Sequence, residues 1–104
     1  MPEHYRVIIQ PRASQDMIGI CTYIERDSPQ NAAGVARELI DAIDSLELLP
    51  HRYRVRIRRR KPAGAVRCMP VSSFMIYYQV VDAERVVMIL TVRHGAQRQP
   101  RRLD

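Results

Sequence analysis

Tryptophan is absent from this 104-residue chain, which has one phenylalanine and five tyrosines. Aromatics so few and scattered exclude a platform on which unpaired bases stack. No apolar run approaches the roughly 18 residues of a membrane-spanning helix. The opening "MPEHYRV" lacks the apolar segment of a signal peptide, so a soluble cytoplasmic protein is expected. Cys21 and Cys68 are far apart, as are His4, His51 and His94, and none has carboxylates at ligand spacing. Reduced structural thiols are therefore expected, with no metal and no cofactor. Repeats and low-complexity tracts are missing as well.

Negative charge is also missing where it would balance the positive. The net charge is +6, yet from Leu48 to Val81 there is no Asp or Glu, while that stretch holds 8 of the 17 Lys and Arg. Residues 25–47 carry Glu25, Asp27, Glu38, Asp41, Asp44 and Glu47. A chain with one basic and one acidic half favours a nucleic acid or an acidic protein segment as partner.

What is present reads as one domain over residues 1–104, 46% hydrophobic and able to bury a modest core. "YRVIIQ" at 5–10 is β-branched and bounded by Pro11, which predicts a strand. Ala13, Met17, Ile20 and Ile24 then recur at helical spacing, with Asp16 placed to suit the helix dipole. Ser28 is a good N-cap and Pro29 a good first residue for a second helix reaching about Leu48. Ala32, Val35, Ala36, Leu39, Ala42, Ile43 and Leu46 face inward on it, and Pro50 stops it. So short a connection requires a helical hairpin.

"HRYRVRIR" alternates arginine with Tyr53, Val55 and Ile57, which predicts an edge or loop with a row of guanidinium groups outside. Pro62 and Gly64 end it in a turn. Strands follow at 65–69, 73–81 and 85–93, linked by turns at Pro70–Ser72 and Asp82–Glu84, as an antiparallel meander. The expected fold is α+β: a helical hairpin on a mainly antiparallel four-stranded sheet, in the order β-α-α-β-β-β.

The last strand runs into "VRHGAQR". His94 is suited to proton transfer near neutral pH. The preferred reading makes it a strand-terminal residue that caps a turn permitted by Gly95. No second histidine or carboxylate is close to it in sequence. Tyr77 and Tyr78 should face opposite sides of the sheet, one in the core and the other open to a partner. Residues 96–104 have no apolar periodicity and carry Arg98, Arg101 and Arg102. They are expected to form a flexible basic tail that orders only against a partner.

Ala13 and Asp16, "YIERDSPQNA" at 23–32, the stripe ending "LELLP", Arg67 ahead of "FMIYYQVVD", and "VMILTVRHGAQR" occur in that order. Together they resemble the ParE/RelE toxin superfamily of bacterial type II toxin–antitoxin modules, over nearly the whole chain and most like the ParE branch. The resemblance implies a plasmid-stabilisation (addiction-type) toxin neutralised by a cognate antitoxin. RelE-like members cut ribosome-bound mRNA, whereas ParE-like members inhibit DNA gyrase by binding it.

Cleavage would need a base, an acid and positive groups on the phosphate, and the residues here would be Arg67, Tyr78, Arg93 and His94. Met75 stands where a RelE-like strand has an arginine, and Cys68 about where it has a lysine. Neither can stabilise a phosphorane. The reading is therefore gyrase inhibition with no catalytic residues, and mRNA cleavage is the alternative. Arg54, Arg56, Arg58, Arg67, Arg93, His94 and Arg98 are the expected contacts with target or antitoxin. A free-standing nucleic-acid-binding module rests on the charge alone.

Overall fold

The computed structural model describes residues 4–57 and 64–95. Arg58, Arg98 and the 96–104 tail, all given roles above, lie outside the described residues. The elements are β1 (Arg6–Ile9), α1 (Pro11–Glu25), α2 (Pro29–Asp44), β2 (Val55–Ile57), β3 (Val66–Val71), β4 (Phe74–Val81) and β5 (Val86–His94).

The helical hairpin follows its local signals. Pro11 opens α1, and Ala13, fully buried, leads a face on which Met17, Ile20 and Ile24 pack against the core. Ser28 caps α2 by accepting from the Asn31 N–H at 3.2 Å, with Pro29 directly after it. Ala32, Leu39 and Ile43 are buried on its inner face. The α-helix stops at Asp44, short of the expected Leu48, and tightens into a 3-10 turn over Ser45–Glu47. There the Ser45 hydroxyl donates back to the Ala42 carbonyl at 2.5 Å, a bond that competes with helical continuation.

The sheet has five strands in the order β1-β5-β4-β3-β2, one more than expected. The extra one is β2, a three-residue edge strand antiparallel to β3. It is the middle of the arginine-alternating segment, so the edge reading of that segment holds. β1 pairs parallel with β5 from Arg6 beside Val86 to Ile9 beside Ile89, and the remaining pairs are antiparallel. The β3–β4 turn is Ser72–Ser73, so Pro70 belongs to β3. Proline is tolerated there because β2 pairs with β3 only at Val66 and Arg67.

The two sheet faces differ. Against the helices, Leu39, Ile43 and Leu46 meet Met69, Ile76, Tyr78, Val87, Ile89 and Val92. A smaller cluster of Val66, Cys68 and Tyr77, flanked by Ile57, Met75 and Leu90, occupies the opposite face, helix-free among the described residues. Tyr77 and Tyr78 do face opposite ways, but both are buried, so neither stands open to a partner. Gly95 is not in the left-handed region that a turn glycine usually serves. Its role is close approach. Its N–H reaches the Ser73 carbonyl at 2.6 Å, and a Cβ would lie 3.0 Å from that same oxygen.

Candidate functional site

A β-bulge in β5 decides which way its last residues point. Tyr77 pairs with Thr91 and Tyr78 with Ile89, leaving Leu90 without an opposite partner. Strict alternation from Val87 and Ile89 would turn Arg93 toward the helices. The extra residue reverses that parity. Val92 therefore enters the helix-side core, and Arg93 comes to stand beside its cross-strand partner Met75 on the helix-free face.

On that face Cys68 and Tyr77 are cross-strand partners and both are buried. Burial pushes the Cys68 thiol up, and Arg56 and the Tyr77 hydroxyl only partly offset it. Burial likewise raises the Tyr77 phenol, and the Cys68 sulfur adds to the rise, while Arg56 and Arg93 oppose it. Both groups stay protonated at neutral pH, so neither is a nucleophile or a base. Their chemistry is inert; the adjacent guanidinium groups supply the charge.

The other expected site residues lie elsewhere. Arg67 is on the helix side of β3 and donates to the His51 carbonyl at 3.1 Å and the Tyr53 carbonyl at 2.7 Å. Tyr78 is fully buried and donates to the Pro50 carbonyl at 2.6 Å. Burial pushes its pKa up to about 12 against the opposing charges of Arg67 and Arg52. His94 is exposed, with its ring edge-on to Phe74 at 5.5 Å. Arg54 and Arg56 are exposed around β2 as expected, but the register shift between Val55 and Ile57 breaks the alternation, so that Tyr53 packs on the helix-side core and Ile57 on the Val66, Cys68 and Tyr77 cluster. Of the four residues a nuclease would use, Arg67 and Tyr78 converge on one loop. Arg93 faces the opposite side of the sheet, and His94 stands at the far end of β4, beside Phe74.

His94 borders a groove of about 1000 Å³ between the helical hairpin and the β3–β4 turn, lined also by Asp16, Gly19, Tyr23, Glu38 and Phe74. Its charges are acidic, in contrast to the sheet. Asp16 plays no part in a first-turn dipole interaction, because it lies more than a turn inside α1. Its carboxylate accepts from the Thr91 hydroxyl and from the Val92 N–H, the latter at 3.1 Å. Pairing of β1 with β5 ends at Ile9 and Ile89, so Asp16 satisfies the edge of β5 where β1 no longer can.

Sequence reasoning also missed a cluster at the other end of the sheet. Asp82 accepts from the Tyr5 hydroxyl at 2.7 Å and lies 2.9 Å from His51 Nε2. The Tyr5 hydrogen bond first, and His51 after it, hold the Asp82 carboxyl below its ordinary 3.8. A depressed acid stabilises the fold fully above the unfolded value, and that contribution is lost as pH falls through the folded one. The pair is exposed, so the effect is small. The stability difference between the protein and its Asp82→Asn variant should be at most about 1 kcal/mol near neutral pH and should vanish by about pH 2. Urea titrations across that range would measure it; a difference that persists in acid would show that charge plays no part. Only the spatial meeting of residues 5, 51 and 82 reveals this cluster, and nothing in local spacing announces it.

Among the described residues no three His, Cys, Asp or Glu side chains converge as metal ligands, and no helix is long and apolar enough to cross a membrane. The fold is similar to that of a chain from the chromosomal ParDE toxin–antitoxin system of P. aeruginosa: TM-score 0.67, 15% identity, covering 88% of this chain and 96% of that one. It is similar also to a chain of the archaeal RelE–RelB complex from Pyrococcus horikoshii OT3: TM-score 0.64, 16% identity, 91% and 99% covered. A chain of the RelBE2 toxin–antitoxin complex from Mycobacterium tuberculosis gives TM-score 0.58 and 24% identity, with 91% and 95% covered. Comparison with curated proteins gives no match. In sequence, residues 7–99 match the family described as the ParE toxin of the type II toxin–antitoxin system parDE, and with that span and this fold the chain belongs to the ParE toxin family.

Proposed function

We propose that this protein is the toxin of a type II toxin–antitoxin module, that it acts by binding DNA gyrase, and that a cognate antitoxin holds it inactive. The observation that carries the gyrase reading is the separation of the four residues a cleavage mechanism would need. Acid–base chemistry requires its groups within reach of one phosphate. Here the Tyr78 hydroxyl is committed to Pro50 and Arg67 to two loop carbonyls, on the side of the sheet away from Arg93. Membership of the ParE family supports the same choice. Action on gyrase would place the protein in the cytoplasm.

A RelE-like nuclease keeps one observation in its favour. Arg93 is the cross-strand partner of Met75, so β5 brings a guanidinium close to where β4 lacks one. Purified protein assayed side by side should inhibit gyrase supercoiling and leave mRNA in a translating extract uncut. Codon-positioned cuts that disappear in a His94→Ala variant would overturn the gyrase reading.

A further inference from the structure

At Leu49 backbone and side chain both run against expectation. Its φ of 49° and ψ of 53° are left-handed, a region that penalises any residue with a Cβ. It also precedes Pro50, whose ring favours an extended residue before it. Burial offsets little of this, because Leu49 is 65% exposed and Leu48 beside it is exposed as well. The conformation persists because its neighbours over-determine it. The Arg52 guanidinium donates to the Leu48 and Leu49 carbonyls, and to the Ser45 hydroxyl at 2.9 Å. Tyr78 holds the Pro50 carbonyl, and Arg67 holds those of His51 and Tyr53. Strain maintained in this way, under an exposed apolar side chain, points to a contact that uses it.

We propose that Leu49, with Leu48 beside it, is a preset knob that inserts into an apolar pocket on a folded protein, the target that the toxin inhibits. That this target is DNA gyrase rests on the function proposed above; the knob itself does not. A loop already fixed by its neighbours loses little further entropy on docking. An aliphatic anchor needs a concave site from which water is excluded. A folded surface offers one and a short peptide does not, so an antitoxin segment is the poorer occupant. Nucleic acid fits worse still, because leucine offers no hydrogen bond to a phosphate. The exposed Arg52 and Arg54 follow in the chain, and no Asp or Glu occurs from Leu48 to Val81. Asp82, which reaches this loop through His51, is already engaged with Tyr5. The rim of the pocket should therefore be acidic.

Thermal melting and binding of Leu49 variants test this. Asparagine and glycine both accept the left-handed region. Leu49→Asn should melt about 4 °C above the parent, and Leu49→Gly no lower than it. Both should bind gyrase about tenfold more weakly, or worse, and keep parental affinity for the cognate antitoxin. Leu49→Met retains a long apolar side chain and should keep most of the gyrase affinity. Parental gyrase affinity in the asparagine and glycine variants would overturn the proposal. A large fall in their melting temperature would do the same, by making Leu49 a packing residue. An equal loss of antitoxin affinity would also sink it, assigning the knob to the antitoxin. Growth arrest on expression without antitoxin is a readout that does not presume gyrase. If the parent arrests growth without binding gyrase, the gyrase reading fails alone. The knob then stands if Leu49→Asn no longer arrests growth and Leu49→Met does, and falls if both do. A parent that neither arrests growth nor binds gyrase would defeat both.

Discussion

Replacing Asp16 by alanine is expected to destabilise the protein by about 3 kcal/mol, because two part-buried donors lose their acceptor together. For a domain of this size the melting temperature should fall by roughly 15 °C. The Thr91 hydroxyl and the Val92 N–H both point at this carboxylate, beyond the last residues that β1 can reach. Thr91 is 1% exposed, so water cannot readily replace the lost partner. Asp16→Asn keeps an acceptor oxygen and loses the charge, and should cost about 1 kcal/mol. Thermal unfolding of the two variants would separate these effects. An alanine variant that melts with the parent would mean that the β5 edge finds another partner.

Asp16 also marks where sequence reasoning runs out. The helical hairpin was legible because its signals are local, a Ser–Pro cap and a 3.6-residue stripe, whereas Pro50 overstated the length of α2, which ends at Asp44. The β3–β4–β5 meander was legible for the same reason, its strands being joined by short turns. The parallel pairing of β1 with β5 joins residues some 80 positions apart, and no period encodes which edge a lone strand will choose. Asp16 meets Thr91 only once that pairing is made. In the candidate site the limiting feature was the bulge at Leu90. Alternation assigns faces only while the register is unbroken, and "VVMILTVR" contains neither glycine nor proline to announce the break. Arg93 and Arg67 could both be picked out as cations on strands. That one faces the helix-free surface while the other braces a loop follows from register alone.

Arg67→Ala should cost about 2–3 kcal/mol, and the loss should be structural before it is functional. The segment from Pro50 to Tyr53 has little regular pairing of its own, and side chains hold its carbonyls instead. Tyr78 donates to Pro50, and Arg67 to His51 and Tyr53. The Arg52 guanidinium folds back on Leu48 and Leu49 at 2.6 and 3.0 Å, bracing Leu49 in a left-handed conformation (φ 49°) that is costly for a leucine. Removing Arg67 frees two carbonyls at the base of β2, and the exposed Arg54 and Arg56 lose their fixed position with them. Tyr78→Phe should cost about 1 kcal/mol. The double variant should lose less than the sum, because both residues restrain the same four-residue segment. Chemical denaturation of the two single variants and the double variant tests this directly. If Arg67→Ala unfolds like the parent but no longer inhibits its target, the guanidinium must leave the loop carbonyls to act. Its place among the contact residues would then stand on binding rather than on the loop it holds.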